Sequence, residues 1–185
     1  MNAATTRRAL LPPHVVVAAP GLAALSADVL ARSRALARLA ALATRHRDDD
    51  GLEHALVAAV GIATPAATLM ARGAGLDAAA GGWLVADPVT LVAGIDDVLV
   101  AARVADFDAT DATALAARLT AHFADDGIAF VAAHPARWYA RLAAPARLTA
   151  PATDAAVGHS LRALRVAGDD ARDFERRGNE IQMLL

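Results

Sequence analysis

The character of the chain changes at Gly81-Gly82, and this change constrains the fold more than any other feature. Downstream, "WLVADPVTLVAGIDDVLVAARV" is a series of short β-branched runs broken by Asp87-Pro88 and by Gly94 to Asp97. That pattern predicts two or three antiparallel strands joined by tight turns. "TDATALAARLTAHFADDG" reads as a helix, capped by Thr110 or Asp111, with Leu115, Leu119 and Phe123 as its buried stripe and Gly127 at its end. "GIAFVAA" and "ARWYARL" are two further strands divided at His134-Pro135. The order strand, strand, helix, strand, strand predicts an α+β fold, a mainly antiparallel sheet with helices packed on one face. Trp83, Leu115, Leu119, Phe123, Phe130, Trp138 and Leu142 are the expected core.

Upstream of the change the chain reads as mostly helical. "HVVVAAP" suits a short buried strand, because β-branched residues run together until Pro20-Gly21. Leu22 to Thr44 carries Leu22, Leu25, Val29, Leu36 and Leu39 at helical spacing, with Arg34, Arg38 and Arg45 on another face. Asp50 is placed to cap a second helix over 51–60, and a short helix follows around Pro65 to Arg72. A final helix is expected from Asp170 to Leu185, with Phe174, Gly178, Ile181 and Leu185 on one stripe. At 185 residues these parts suit one domain: a helical portion over 1–81, a sheet with a helix over 82–145, and a connector with the last helix over 146–185.

Composition removes several kinds of chemistry. All 18 basic residues are arginine, so neither Schiff-base chemistry nor a P-loop lysine is available. With no cysteine, disulfides, thiolate catalysis and cysteine zinc sites are excluded. A net charge of -2 gives no electrostatic reason to expect nucleic acid. The N-terminal "TTRRALLPPHVVVAAPGLAALSA" imitates a twin-arginine signal, but Pro12, Pro13, His14 and Pro20 interrupt its apolar stretch. The longest uncharged run, Ala55 to Ala71, contains Gly61 and Pro65 and is too short to span a bilayer. A cytoplasmic protein with no membrane association is the expectation.

One segment concentrates recognition chemistry. "HPARWYARL" holds one histidine, two arginines, one of the two tryptophans and the only tyrosine. Side chains alternate along a strand, so Trp138, Ala140 and Leu142 share a core face while Arg137, Tyr139 and Arg141 share the other. Two guanidiniums flanking a phenol, with His134 at the mouth, suit a phosphate or carboxylate. The opposing reading is that Tyr139 covers the sheet and both arginines pair with nearby acids. Other clusters carry less. His46, Asp48, Asp49, Asp50, Glu53 and His54 are dense in oxygen and imidazole ligands, but no recognised metal-site spacing is met. The serines are Ser26 and Ser33, both inside an expected helix, and Ser160, which follows His159 directly, so a catalytic triad is not expected. No metal or cofactor is expected.

"WLVADPVTL", then "LTAHFADDGIAFVAAHPARWYARL", then "NEIQMLL" resemble, in order and spacing, the RpfE-type regulatory proteins of proteobacteria, members of which are often labelled cofactor-independent phosphoglycerate mutases. The resemblance covers about Gly82 to Leu185 and is loose before that. It implies a regulatory or binding role, directed at a small anionic metabolite or a protein partner. The alternative it implies is a metal-dependent isomerase of 2- and 3-phosphoglycerate. Such an enzyme needs a Ser or Thr nucleophile beside two metals held by Asp and His, and no such set assembles from this sequence. Family chains continue past the glutamine-methionine helix, whereas this one ends at Leu185. That difference raises an expectation for Ile181, Met183, Leu184 and Leu185: the helix end folds back on the sheet or pairs with a second copy in a homodimer.

Overall fold

The structure is a computed structural model and describes residues 26–42, 52–77 and 81–184. Among the described residues four helices come first: α1 (Ala27–Arg32), α2 (Arg34–Leu42), α3 (Leu52–Ala59) and α4 (Ala66–Gly73). Then follow β1 (Gly82–Val85), β2 (Val89–Ala93), β3 (Val98–Arg103), α5 (Ala109–His122), β4 (Ile128–His134), β5 (Arg137–Leu142), α6 (Thr153–Ala156) and α7 (Ala171–Leu184). The chain thus adopts the expected α+β class, with every strand pair antiparallel. The single helix expected over 22–44 is instead two, broken at Ser33, a residue type whose hydroxyl competes for nearby backbone groups. The expected strand at "HVVVAAP" and the Asp50 cap lie outside the described residues.

The strands do not form one meander. β5 lies at the centre of a three-stranded sheet in the order β1-β5-β4, while β2 and β3 form a separate hairpin. Asp87-Pro88 explains the split. Proline cannot donate to a ladder, so β1 ends before it and pairs with β5, far along the chain, rather than with β2. The outer edge of β4 is covered by a side chain: Thr120 Oγ1 accepts from Phe130 N at 2.8 Å and donates to Ala116 O at 2.8 Å. That hydroxyl satisfies an edge amide that would otherwise be free to pair. The free edge of β3 is covered likewise, by Val100 N donating to His159 O and Leu161 N to Val98 O.

Alternation along β5 sorts the core into two layers. Trp138, Ala140 and Leu142 face α5, joined by Ala112, Ala116, Leu119, Phe123 and Ile128. Five of the seven expected core residues are buried, and Leu115 and Phe130 are half-buried against the same cluster. The opposite face is covered as well. Trp83 and Tyr139 pack there beneath α4, against Ala71 with Ala67 and Met70. Their rings meet edge to face, 6.2 Å between centroids, a favoured aromatic arrangement. Gly81 makes the entry to β1 possible. Its φ is +84°, and any Cβ there would overlap the Leu142 carbonyl. α7 folds back onto the first layer through Phe174, Ile181 and Leu184, leaving Met183 exposed.

The cap of α5 differs from expectation. Neither Thr110 nor Asp111 performs it; Asp108 does, accepting from Thr110 N at 2.7 Å and Asp111 N at 3.2 Å. The helix starts at Ala109, so Asp108 is the last extended residue, and only there can a side chain fold over the free amides. The Asp111 amide, then the Thr110 amide, hold the Asp108 carboxyl below its ordinary value of 3.8. A carboxyl depressed in the folded state contributes stability above the unfolded value, and that stability is lost as pH falls through the folded value. Asp108→Asn accepts from the same amides without titrating. Thermal unfolding followed below pH 3.8 is therefore expected to fall less steeply in Asp108→Asn than in the parent. Asp97, also depressed, first by a hydrogen bond from Ser160, keeps some acid sensitivity in both.

Candidate functional site

The residues of "HPARWYARL" are brought together much as alternation requires, but their face is not open. Tyr139 is buried under α4, 3 % exposed, so its ring is core. Arg137 and Arg141 flank it on the same face. Four residues of strand separate their Cα atoms by about 13 Å, and Tyr139 lies between them beneath α4, so the three do not form a single pincer around one phosphate. Arg141 is exposed. His134 is exposed and works locally: its Nδ1 accepts from Ala136 N at 3.2 Å within the turn between β4 and β5.

The best-organised polar cluster centres on a residue that the sequence marked only as a turn. Asp87 follows β1, and its side chain is 1 % exposed. Its Oδ2 accepts from Arg103 Nη2 at 2.7 Å. Its Oδ1 accepts from Trp138 N at 3.0 Å and lies 3.3 Å from Arg137 Nε. Arg103, at the end of β3, also donates to Asp154 of α6 at 3.0 Å and to Ala136 O at 3.3 Å. One carboxylate therefore ties together the end of β1, the hairpin, the centre of the sheet and α6. A buried charge is retained only where it is paired and hydrogen-bonded, as it is here.

Burial pushes the Asp87 carboxyl above its ordinary value. The Trp138 amide and the Arg137 and Arg103 guanidiniums pull it down, and Asp154 adds to the rise. Tyr139 is also pushed up, by burial first, against the pull of Arg137. Two arginines and two carboxylates sum to no net charge, so the cluster compensates itself. One part remains unspent. Arg137 meets Asp87 through its Nε, which orients the guanidinium and leaves its two terminal nitrogens without a partner among the described residues. A guanidinium fixed through Nε presents the remaining edge as a fork for an anion.

The other candidates resolve simply. Glu53 and His54 lie on α3, while His46, Asp48, Asp49 and Asp50 lie outside the described residues. Among the described residues no three His, Asp or Glu side chains gather in a way that could hold a metal ion. Ser26 Oγ accepts from Val29 N at 3.4 Å, at the start of α1. Ser160 Oγ accepts from Arg162 N at 3.1 Å, and the His159 ring nitrogen faces Val157 O, not Ser160. No described helix is long and apolar enough to cross a membrane.

Fold and site together define an α+β protein built round a buried aspartate that orients a half-exposed arginine. Comparison with protein-family models, with curated proteins and with solved structures gives no match in any of the three.

Proposed function

We propose that this chain is a non-catalytic binding protein of regulatory type, similar in its second half to the RpfE-type proteins, and that it recognises a small anionic ligand through Arg137. The observation that supports this reading is the division of labour in Arg137: Nε is held by buried Asp87, and the terminal nitrogens are unengaged among the described residues. Arg141, exposed farther along the same face, serves a second anionic group of a longer ligand. A catalytic reading needs an activated nucleophile; Ser26 accepts from the Val29 amide, and Ser160 is engaged by the Arg162 amide and by Asp97.

Two measurements test it. Purified protein with manganese, 3-phosphoglycerate and a coupled enolase readout is expected to give no turnover. Turnover abolished by a chelator establishes the phosphoglycerate mutase alternative instead. For binding, a thermal-shift screen of phosphorylated metabolites is run on the parent and on Arg137→Ala/Arg141→Ala. A stabilising ligand should lose at least about tenfold in affinity in the double variant, the effect of about 1.4 kcal/mol of lost charge-assisted hydrogen bonding. A ligand bound equally well by both removes these arginines from the site.

A further inference from the structure

We propose that the space between α7 and the sheet is a binding site for a short aliphatic or aromatic carboxylate, its apolar part in the cavity and its carboxylate on Arg177. The site lies on the sheet face opposite Arg137 and Arg141, so it stands independently of the function proposed above.

Three observations converge on it. The first is a cavity of about 130 Å³, walled by apolar side chains that include Phe123, Phe130, Leu142, Phe174 and Ile181. Apolar cavities of about 150 Å³ stay dry and take up a benzene-sized molecule, so this one fits a single ring or a chain of about five carbons. Second, Gly178 lines the same space from within α7, and a Cβ added there would meet nothing within 4 Å. Glycine in a helix interior is unfavourable relative to alanine, and no neighbour demands it at this position. Its missing side chain leaves the cavity larger. Third, the polar end is supplied by Arg177, on the cavity wall. Its Nη2 donates to Asp126 at 3.2 Å, while its Nε is buried without a hydrogen-bond partner among the described residues. A buried donor left unmade is costly, and a carboxylate oxygen entering beside the apolar walls supplies the missing acceptor. Neutral apolar molecules would fill the space without engaging that nitrogen, which is why the proposal is for an acid.

Sodium hexanoate is the probe and n-hexanol its neutral counterpart, each titrated into the intact chain by amide NMR. Hexanoate is expected to shift amides around Phe174 to Ile181 and along β4 and β5 saturably, with an affinity of about millimolar for so few atoms. Gly178→Leu, which fills the cavity and favours the helix, should weaken hexanoate at least about tenfold. Arg177→Met should reduce hexanoate to the affinity of hexanol and leave hexanol unchanged. Absence of saturable shifts, shifts remote from α7, or hexanoate binding unaffected by Gly178→Leu overturns the site. Equal affinity for acid and alcohol in the parent overturns the role of Arg177. If Gly178→Leu does not fold, the location of the parent's shifts and the Arg177→Met comparison decide alone.

Discussion

Asp87→Ala should lower the unfolding free energy by about 3 kcal/mol, because it breaks a buried pair and leaves a buried amide without its acceptor. The carboxylate is 1 % exposed, and it holds two hydrogen bonds, from Arg103 and the Trp138 amide, and an ion pair with Arg137. The arginine side chains keep 29 % and 27 % of their surface in contact with solvent, so they recover some hydration, and the loss falls short of that for a fully enclosed pair. Asp87→Asn fills the same volume and still accepts from Trp138 N, and should lose only about 1 kcal/mol. Asp154→Ala removes a carboxylate that is 71 % exposed and should change stability by less than about 0.5 kcal/mol. Urea unfolding of the three variants checks the ranking. The pH dependence has a definite sign. Asp87 is raised in the folded state, so its contribution is fully present below 3.8 and is lost as pH rises through the folded value. The gap between parent and Asp87→Asn should therefore narrow as pH is raised above 3.8.

That aspartate shows where the sequence was readable and where it was not. "WLVADPVTLV" carries a single charge within an apolar run, and a charge so placed must find a partner if the run is buried. This signal was present, but Asp-Pro is also a common turn, and the turn reading accounts for the dipeptide completely. The partners gave no signal at all. Arg103 and Arg137 lie 16 and 50 positions away; the β2–β3 pairing, which sets Val89 opposite Arg103, brings in the first, and the pairing of β1 with β5 brings in the second. Arg177 was hidden in the same way, since Asp126 and the cavity walls facing α7 come from other elements.

Local patterns fared better. Alternation in "ARWYARL" sorts the two faces as they are found, with Trp138, Ala140 and Leu142 on the α5 side. It could not say that α4 covers the other face, because the cover is built from Ala67, Met70 and Ala71, small or flexible residues that mark no obvious core stripe. In an alanine-rich chain, burial is less visible in sequence. Alanine is found at both buried and exposed positions: Ala71 and Ala112 are buried, and Ala109 is exposed. The sequence places the cap of α5 two or three residues late, at Thr110 or Asp111, because "DATDAT" offers Asp108, Thr110 and Asp111 as equivalent candidates. Backbone geometry, not residue type, selects among them.

With so much alanine, the few large side chains carry a disproportionate share of the core, and Phe123 is the clearest case. It is 1 % exposed and, among the described residues, the largest side chain that is fully buried. It ends α5, meets Phe130 at a tilt with 5.9 Å between ring centroids, and meets the His122 ring edge to face at 4.7 Å. Phe123→Ala should destabilise by about 4–5 kcal/mol, the upper part of the range for emptying a buried aromatic site. The upper part applies because Phe123 already borders the cavity of about 130 Å³ beneath α7, and the vacated volume joins it instead of closing by collapse. The backbone gives no reason for any larger effect. The Phe123 carbonyl accepts from Asp126 N at 3.1 Å and Ile128 N at 3.2 Å, and alanine preserves both. Phe123→Leu retains most of the apolar volume and should lose about 1.5 kcal/mol or less. Denaturant unfolding of both variants measures the difference. A loss under about 2 kcal/mol for Phe123→Ala would mean that α7 settles into the space, and the cavity would then be soft rather than a fixed feature of the fold.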